Sequence, residues 1–262
     1  AERMPPHLAR KRFGQHFLVD QQIIADIVDL LAVRRDDLLV EIGPGLGALT
    51  TPLLRRLDHL QVVEIDRDII TRLRHGFSPE KLTVHAGDAL VFDFGQLARD
   101  AGSGLRVVGN LPYNISTPLL FHLAGFAHCV RDMHFMLQKE VVERMVARPG
   151  GREFGRLSVM LQYRFVMDRL LDVPPEAFNP VPRVHSAVVR LLPRPAAELS
   201  AHDEKQFAAL VSAAFAQRRK MLRNSLRGLL NDARLEALGV SPTCRAEDLS
   251  VEDYIRLVNA MA

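Results

Sequence analysis

Apolar residues recur at Ile23, Ile24, Ile27, Val28 and Leu31, the spacing of one buried helix face, and Asp20 stands where a helix cap belongs. Five short apolar runs follow: Leu38 to Ile42, Leu60 to Ile65, Leu82 to His85, Arg106 to Gly109 and Met133 to Leu137. Helix-like segments separate them, and this alternation predicts repeated βα units in a mostly parallel, doubly wound α/β sheet. After Gly155 the pattern changes. Leu157 to Val166 and Ser186 to Leu192 read as two further strands, a closing antiparallel hairpin. Between them, Val173-Pro174-Pro175 and Asn179-Pro180-Val181-Pro182 predict a stiff loop over the working edge of the sheet. Pro193 to Ala197 reads as part of a linker, and the chain beyond it as all-helical. Phe207, Leu210, Val211, Ala214 and Phe215 form one apolar face; Leu222, Leu226 and Leu229 form another. On that second helix Arg219, Arg223 and Arg227 recur every four residues, as a stripe pointing away from the leucines. The division expected is a catalytic domain over 1–192, a linker over 193–200 and a small helical domain over 201–262.

A chain of 262 residues suffices for one large domain, or one with a small appendage. With 48% hydrophobic and 25% charged residues, its composition is that of an ordinary globular protein. No run approaches the roughly 18 apolar residues of a membrane helix. Ala1 to Arg12 is basic without the apolar core of a signal peptide, so a cytoplasmic location is expected. Cys129 and Cys244 have no CxxC partner and read as inert thiols. The ten histidines fall in no HExxH-like pattern, so no catalytic metal is expected. The net charge is only +3, but the cations are clustered. Arg10-Lys11-Arg12 is one group; Arg218, Arg219, Lys220, Arg223 and Arg227 form another, with no acid between Phe215 and Leu230. Such a run is either a solvated face or a grip on nucleic acid.

Leu39 to Gly47 reads as a strand entering a glycine-rich turn, Gly43-Pro44-Gly45-Leu46-Gly47, with a helix beginning near Ala48. Glycine lets the backbone turn tightly and a ligand approach it closely. Glu64 closes the second strand, where a carboxylate can take both hydroxyls of a ribose. These features suit NAD and S-adenosylmethionine (SAM) alike. Glu41 inside the first strand offers nothing to a pyrophosphate but suits an ammonium group. Asp88, in Gly87-Asp88-Ala89 after the third strand, can accept from an adenine amine. Read apart, Glu41 could be a satisfied core acid and Asp88 a helix cap; in register at successive strand ends they favour SAM. Asn110-Leu111-Pro112-Tyr113, directly after a strand, combines an amide acceptor, a stiff turn and a ring, the parts of a clamp for an amino-bearing base.

These motifs resemble the KsgA/RsmA family, the bacterial small-subunit (16S) rRNA adenine N6,N6-dimethyltransferases, over nearly the whole chain. The resemblance rests on Arg12 to Leu18, Glu41 to Gly47, Glu64-Ile65-Asp66, Gly87-Asp88-Ala89 and Asn110 to Ser116. It continues through Met136 to Glu140, Gly155 to Val159, Phe178-Asn179-Pro180 and Phe215 to Lys220. His16 departs from the asparagine common in the family. The resemblance implies a Rossmann-like, class I SAM-dependent methyltransferase with a helical C-terminal domain. It places Gln15, His16 and Leu18 over the cofactor, and Glu41, Gly43 and Gly45 about its methionine portion. Glu64 falls at the ribose and Asp88 at the adenine, with Ile65, Ala89 and Asn110 also among the cofactor-binding residues. Asn110, Leu111, Pro112 and Tyr113 become the catalytic turn: the Asn110 oxygen and Leu111 carbonyl accept the N6 hydrogens of adenine, while Tyr113 and Phe178 stack on its faces. Arg218, Arg219, Lys220, Arg223 and Arg227 become RNA contacts. The implied partner is 16S rRNA in an assembling 30S particle, bound by a monomer without metal or membrane. Alternatives are the related large-subunit rRNA methyltransferases, an RNA-binding assembly factor without activity, and an NAD oxidoreductase.

Overall fold

The Asp20 carboxylate accepts the Gln22 and Ile23 amides and starts a helix over Gln21–Leu31 that buries Ile24, Ile27, Val28 and Leu31. The computed structural model that contains it describes residues 6–10 and 13–261. Lys11 and Arg12, part of the first basic cluster and of the first motif, lie outside the described residues. The strands, in chain order, are β1 (Phe17–Leu18), β2 (Leu39–Ile42), β3 (Leu60–Glu64), β4 (Leu82–Ala86), β5 (Leu105–Asn110), β6 (Val130–Gln138), β7 (Phe165–Val173), β8 (Phe178–Asn179) and β9 (Ser186–Pro193). Seven of them form one sheet in the order β4-β3-β2-β5-β6-β9-β7. The pairs from β4 to β6 are parallel and β9 runs antiparallel to β6. The order reverses between β2 and β5, a switch point where α/β sheets bind ligands beyond the carboxyl ends of their strands. β1 and β8 form a separate antiparallel pair, Leu18 opposite Phe178. One face of the large sheet packs Val62, Val108, Met136 and Val188 against Ile27, Val28 and Leu31.

One strand expected from the sequence is a helix. Leu157, Val159, Leu161 and Tyr163 alternate along the chain as strand residues do, yet Arg156–Arg164 is helical and the strand begins only at Phe165. Gly155 is its N-cap residue, and the Ser158 hydroxyl accepts the Gly155 amide at 3.0 Å. The helix is covered on most sides, so burial no longer reports its 3.6-residue period. A helix buried all round and a strand cannot be told apart from apolar spacing.

The chain divides into two compact units, 1–142 with 168–193, and 143–167 with 194–262. The second unit therefore takes in residues 143–167 as well as the C-terminal segment, where one boundary near 193 was expected. It has its own core, with Phe154, Val159 and Tyr163 packed among Phe207, Leu210, Leu222, Leu226, Tyr254 and Leu257. Among the described residues no helix is long and apolar enough to cross a membrane.

Candidate active site

A cavity of about 1390 Å³ opens over the carboxyl ends of β2, β3, β4 and β5. Sites for a single small ligand run to roughly 1,000 Å³, so there is room for a cofactor and part of a second molecule. Every residue expected about the cofactor or target base lines this one cavity: Gln15, His16, Leu18, Glu41, Gly43, Gly45, Glu64, Ile65, Asp88, Ala89, Asn110 to Tyr113, and Phe178.

The glycine turn follows β2. Gly45 has φ +56°, and a Cβ there would lie 3.0 Å from the Phe17 ring, so position 45 needs glycine both for conformation and for space. The following helix starts at Thr50, two residues later than expected. The buried Thr50 hydroxyl donates to Glu41 Oε1 at 2.5 Å. Glu41 thus lines the cavity and is a hydrogen-bonded core acid at once. Burial, with the nearby Glu64 charge adding to it, pushes its carboxyl from 4.5 to about 7, against the lowering effect of the Thr50 bond. Between those values the folded protein holds a proton that the unfolded chain releases, so stability falls as pH rises and levels off above pH 7. The full swing is on the order of 3 kcal/mol. Glu41→Gln is therefore expected to flatten this dependence in urea unfolding of the ligand-free protein and to exceed wild type at pH 8. A variant as pH-sensitive as wild type from pH 5 to 7 would contradict the assignment.

Glu64 ends β3 with only 8% exposure. Its Oε2 accepts the amides of Ile65 at 2.9 Å and Asp66 at 3.1 Å. Burial raises its carboxyl pKa, opposed by these amides. These amides, with that of Gly45 also directed at the carboxylate, fix its orientation at the cavity. Asp88 uses one oxygen, Oδ1, to accept the Leu90 amide at 2.9 Å. Ile65 is 47% exposed and adds an apolar side chain to the same cavity wall.

The N-terminal segment is strapped across this edge. Gln15 lines the cavity with its side chain held by the fold: its carboxamide donates to Asp66 at 2.9 Å and accepts the Arg10 amide at 2.8 Å. The completely buried Asp66, which also caps the helix over Arg67–Gly76, belongs to the Glu64-Ile65-Asp66 motif but carries no role that the sequence shows. Its signal was the cap position; the long-range bond to Gln15 had none. His16 joins three parts of the site. Its carbonyl accepts Asn110 Nδ2 at 3.0 Å, its Nδ1 pairs with the Pro180 carbonyl at 2.8 Å, and its ring lies 5.5 Å from that of Tyr113.

In the Asn110–Tyr113 turn the last two backbone carbonyls are occupied. Pro112 O accepts from Ile115 N and Ser116 Oγ, and Tyr113 O also accepts from Ser116 Oγ, at 3.1–3.2 Å. Asn110 commits its amide nitrogen to His16, which leaves Oδ1 as its acceptor. Among the described residues no hydrogen bond reaches that oxygen or the Leu111 carbonyl. Tyr113 is 46% exposed and offers a ring to the cavity, whereas Phe178 is 3% exposed and packs in the core with Leu18, Ile24 and Val173. Stacking by Phe178 on an open face, as expected from the sequence, is not what the fold presents; only part of its surface reaches the cavity wall.

A model of the ribosomal RNA adenine dimethylase family matches residues 6–262. The chain belongs to this family. It is thus similar, at 61% identity over 99% of this chain and 100% of the relative, to a protein of Dechloromonas aromatica called ribosomal RNA small subunit methyltransferase A. A protein of the same name from Chromobacterium violaceum is 60% identical over 98% and 97% of the two chains. Among solved structures, a dimethyladenosine transferase from Plasmodium falciparum superposes with a TM-score of 0.77 at 25% identity, over 92% of this chain and 96% of that one. The 23S rRNA methyltransferase ErmE gives 0.69 at 26% identity, over 94% and 99%. Like other rRNA adenine dimethylases, this one is a SAM-dependent transferase. The acidic, glycine-floored half of the cavity fits a cofactor that carries an ammonium group, a ribose and an adenine.

In the second unit the basic residues do not form a stripe. Helix covers only Leu222–Ser225, because the chain turns at Lys220 and again at Gly228, where φ is +89°. Leu229, expected in the core, is 44% exposed. Arg218 is a structural tie: it donates to Glu247 at 2.9 Å and to the carbonyls of Arg152 and Phe154 at 2.5 and 3.1 Å. Arg223 pairs with Asp232 at 3.1 Å and Arg227 with Asn224 at 3.3 Å. Arg219 and Lys220 are exposed, and neither has an acidic partner among the described residues. Arg218→Ala is expected to cost about 1.5–3 kcal/mol in chemical unfolding, the range for hydrogen bonds to a charged group. The double variant Arg219→Ala/Lys220→Ala should leave stability unchanged. If both contact phosphate, it makes the log–log salt slope of RNA binding shallower by about 1.4. A double variant with the wild-type slope would mark these two residues as merely solvated.

Neither cysteine is set up as a nucleophile: burial pushes both thiols up, Cys244 to about 11.

Proposed function

We propose that the chain dimethylates N6 of two adjacent adenosines in the 3′-terminal hairpin loop of small-subunit (16S) rRNA, acting as a monomer on an assembling 30S particle in the cytoplasm. The observation that carries the chemistry is the distribution of acceptors in the catalytic turn. Ser116 and Ile115 occupy the carbonyls of Pro112 and Tyr113, while among the described residues no hydrogen bond reaches Asn110 Oδ1 or the Leu111 carbonyl. Choice of the small subunit is supported by the names of relatives about 60% identical to this chain.

Bound SAM supplies an electrophilic methyl group. The chain's residues prepare the nucleophile. An adenine N6 is a poor one because its lone pair is delocalised into the ring. When Asn110 Oδ1 and Leu111 O each accept an N6 hydrogen, the nitrogen pyramidalises and its lone pair turns out of the ring plane. Positioning of this kind contributes up to about 7–11 kcal/mol to barrier reduction. Extruding the base costs a few kcal/mol, less in a loop than in a duplex. Stacking on Tyr113 returns about 1–3 kcal/mol. Glu64 and Asp88 hold ribose and adenine of the cofactor, and Glu41 faces its ammonium end.

The test is transfer of labelled methyl from SAM to unmethylated small subunits, naked 16S rRNA and large subunits in parallel, followed by nucleoside mapping. Dimethyladenosine at adjacent loop positions in small-subunit RNA is the expected product. Label confined to large-subunit RNA would overturn the subunit assignment and leave the chemistry intact.

A further inference from the structure

Charges lining the cavity are sorted along the sheet. Glu41, Glu64 and Asp88 belong to or follow β2, β3 and β4, on one side of β5. Arg55 ends the helix that follows β2 and belongs with that half. Among the described residues Arg183 is the cation of the other half, in the loop that leads into β9. This loop is fastened at both ends. The Pro180 carbonyl pairs with His16 Nδ1 at 2.8 Å, and Asn179 pairs with Phe17 across the small sheet. At the far end the His185 carbonyl accepts the Lys139 amide at 2.9 Å, and Ser186 stands opposite Gln138. Between those anchors Val181, Arg183 and Val184 are exposed. No acid pairs with Arg183 among the described residues, whereas Arg10, Arg35, Arg56, Arg99, Arg106, Arg131 and Arg190 each have an acidic partner.

We propose that Arg183 binds a backbone phosphodiester of the RNA next to the target adenosine. The inference rests on the adenine-methylating reading above and adds a phosphate site inside the catalytic unit. A base seated on Tyr113 and held by Asn110 enters over β5, so its flanking backbone must cross the rim on the side away from the cofactor acids. That rim is the loop bearing Arg183. A guanidinium presents two parallel donors that match phosphate oxygens, and its anchored loop limits the freedom lost on binding. The acids on the opposite half repel the same backbone and so favour a single entry direction.

The experiment uses the full chain and a hairpin RNA with two adjacent loop adenosines, with binding measured between 50 and 300 mM salt, about the range over which counterion release is resolved. Arg183→Ala is expected to weaken RNA binding roughly tenfold, as for loss of one charged hydrogen bond. It makes the log–log salt slope shallower by about 0.7, the value for one single-strand phosphate. SAM affinity and melting temperature stay at wild type, because the side chain is exposed and touches no cofactor residue. Arg183→Lys restores the slope and only part of the affinity. An Arg183→Ala protein with the wild-type slope and RNA affinity overturns the proposal, as does one whose RNA defect is matched by lost SAM affinity. If wild type itself neither binds nor methylates the RNA, the functional reading fails and takes this one with it; a fully active wild type beside an unaltered Arg183→Ala protein removes Arg183 alone.

Discussion

Asn110→Ala is expected to lower single-turnover methyl transfer at least about 100-fold, the scale of loss when a reacting group is misplaced by an ångström. Two contacts disappear together. The N6 hydrogens lose the Oδ1 acceptor, and the His16 carbonyl loses its donor at 3.0 Å. Asn110→Asp separates them, since it keeps an acceptor for the amine but cannot donate to His16. Transfer retained by aspartate and lost in alanine assigns the effect to the amine. Equal losses in both assign it to the tie between the turn and the N-terminal segment. SAM affinity, measured by calorimetry, should stay close to wild type in the alanine variant, because Glu64 and the glycine turn are untouched. Loss of SAM binding would move Asn110 from the target base to the cofactor.

Arg106→Met is expected to be the most destabilising single change, by about 3–5 kcal/mol in urea unfolding at neutral pH, the cost of removing one partner from a buried ionic cluster. Arg106 is 5% exposed and donates to both oxygens of Asp132 at 2.8 and 3.1 Å, to Asp37 at 2.9 Å and to the Leu31 carbonyl at 2.5 Å. The last contact places a cation at the C-terminal end of the helix over Gln21–Leu31, where the helix dipole favours it. Without the guanidinium two carboxylates lose their shared cation, one of them, Asp37, almost wholly buried. The exposed Arg131, 3.1 Å from Asp37, compensates only in part. Replacing Asp37 and Asp132 by leucine in the same protein should recover most of the loss, since the penalty is that of an unpaired charge. A wild-type unfolding midpoint for Arg106→Met would show the cluster contributes nothing. Arg106 also lies on the same face of β5 as Asn110, four residues on, so the cluster anchors the strand that leads into the Asn110–Tyr113 turn.

Strand runs are short-range patterns, and five of them were legible to within a few residues because each has buried apolar residues at its centre or start, such as Leu39-Val40, Val62-Val63, Leu82, Val107-Val108 and Phe135-Met136-Leu137. The helix over Arg156–Arg164 was not, because a segment buried on most sides loses its periodic signature. The same physics explains the basic cluster. Four-residue spacing of Arg219, Arg223 and Arg227 implies a stripe only if the helix is continuous, and Gly228 and the turn at Lys220 interrupt it. Arg218 looks like its neighbours in sequence. It differs because Glu247 and the carbonyls of residues 152 and 154 converge on it from distant parts of the chain.

By itself the order of residues determined the strand–turn–helix units, the glycine turn after β2, the acids at the ends of successive strands and the tetrapeptide after β5. Each is a local choice of residue at a local position, and local conformation follows from near neighbours. Tertiary structure alone decided which groups remain available. It closed Ser116 onto two carbonyls of the turn, turned the Asn110 amide nitrogen to His16, sank Phe178 into the core and left Tyr113 open. A hydrogen-bonding group has a fixed number of partners, and residues distant in sequence supply most of them. What a side chain has left for a substrate is settled only when the whole chain has folded around it.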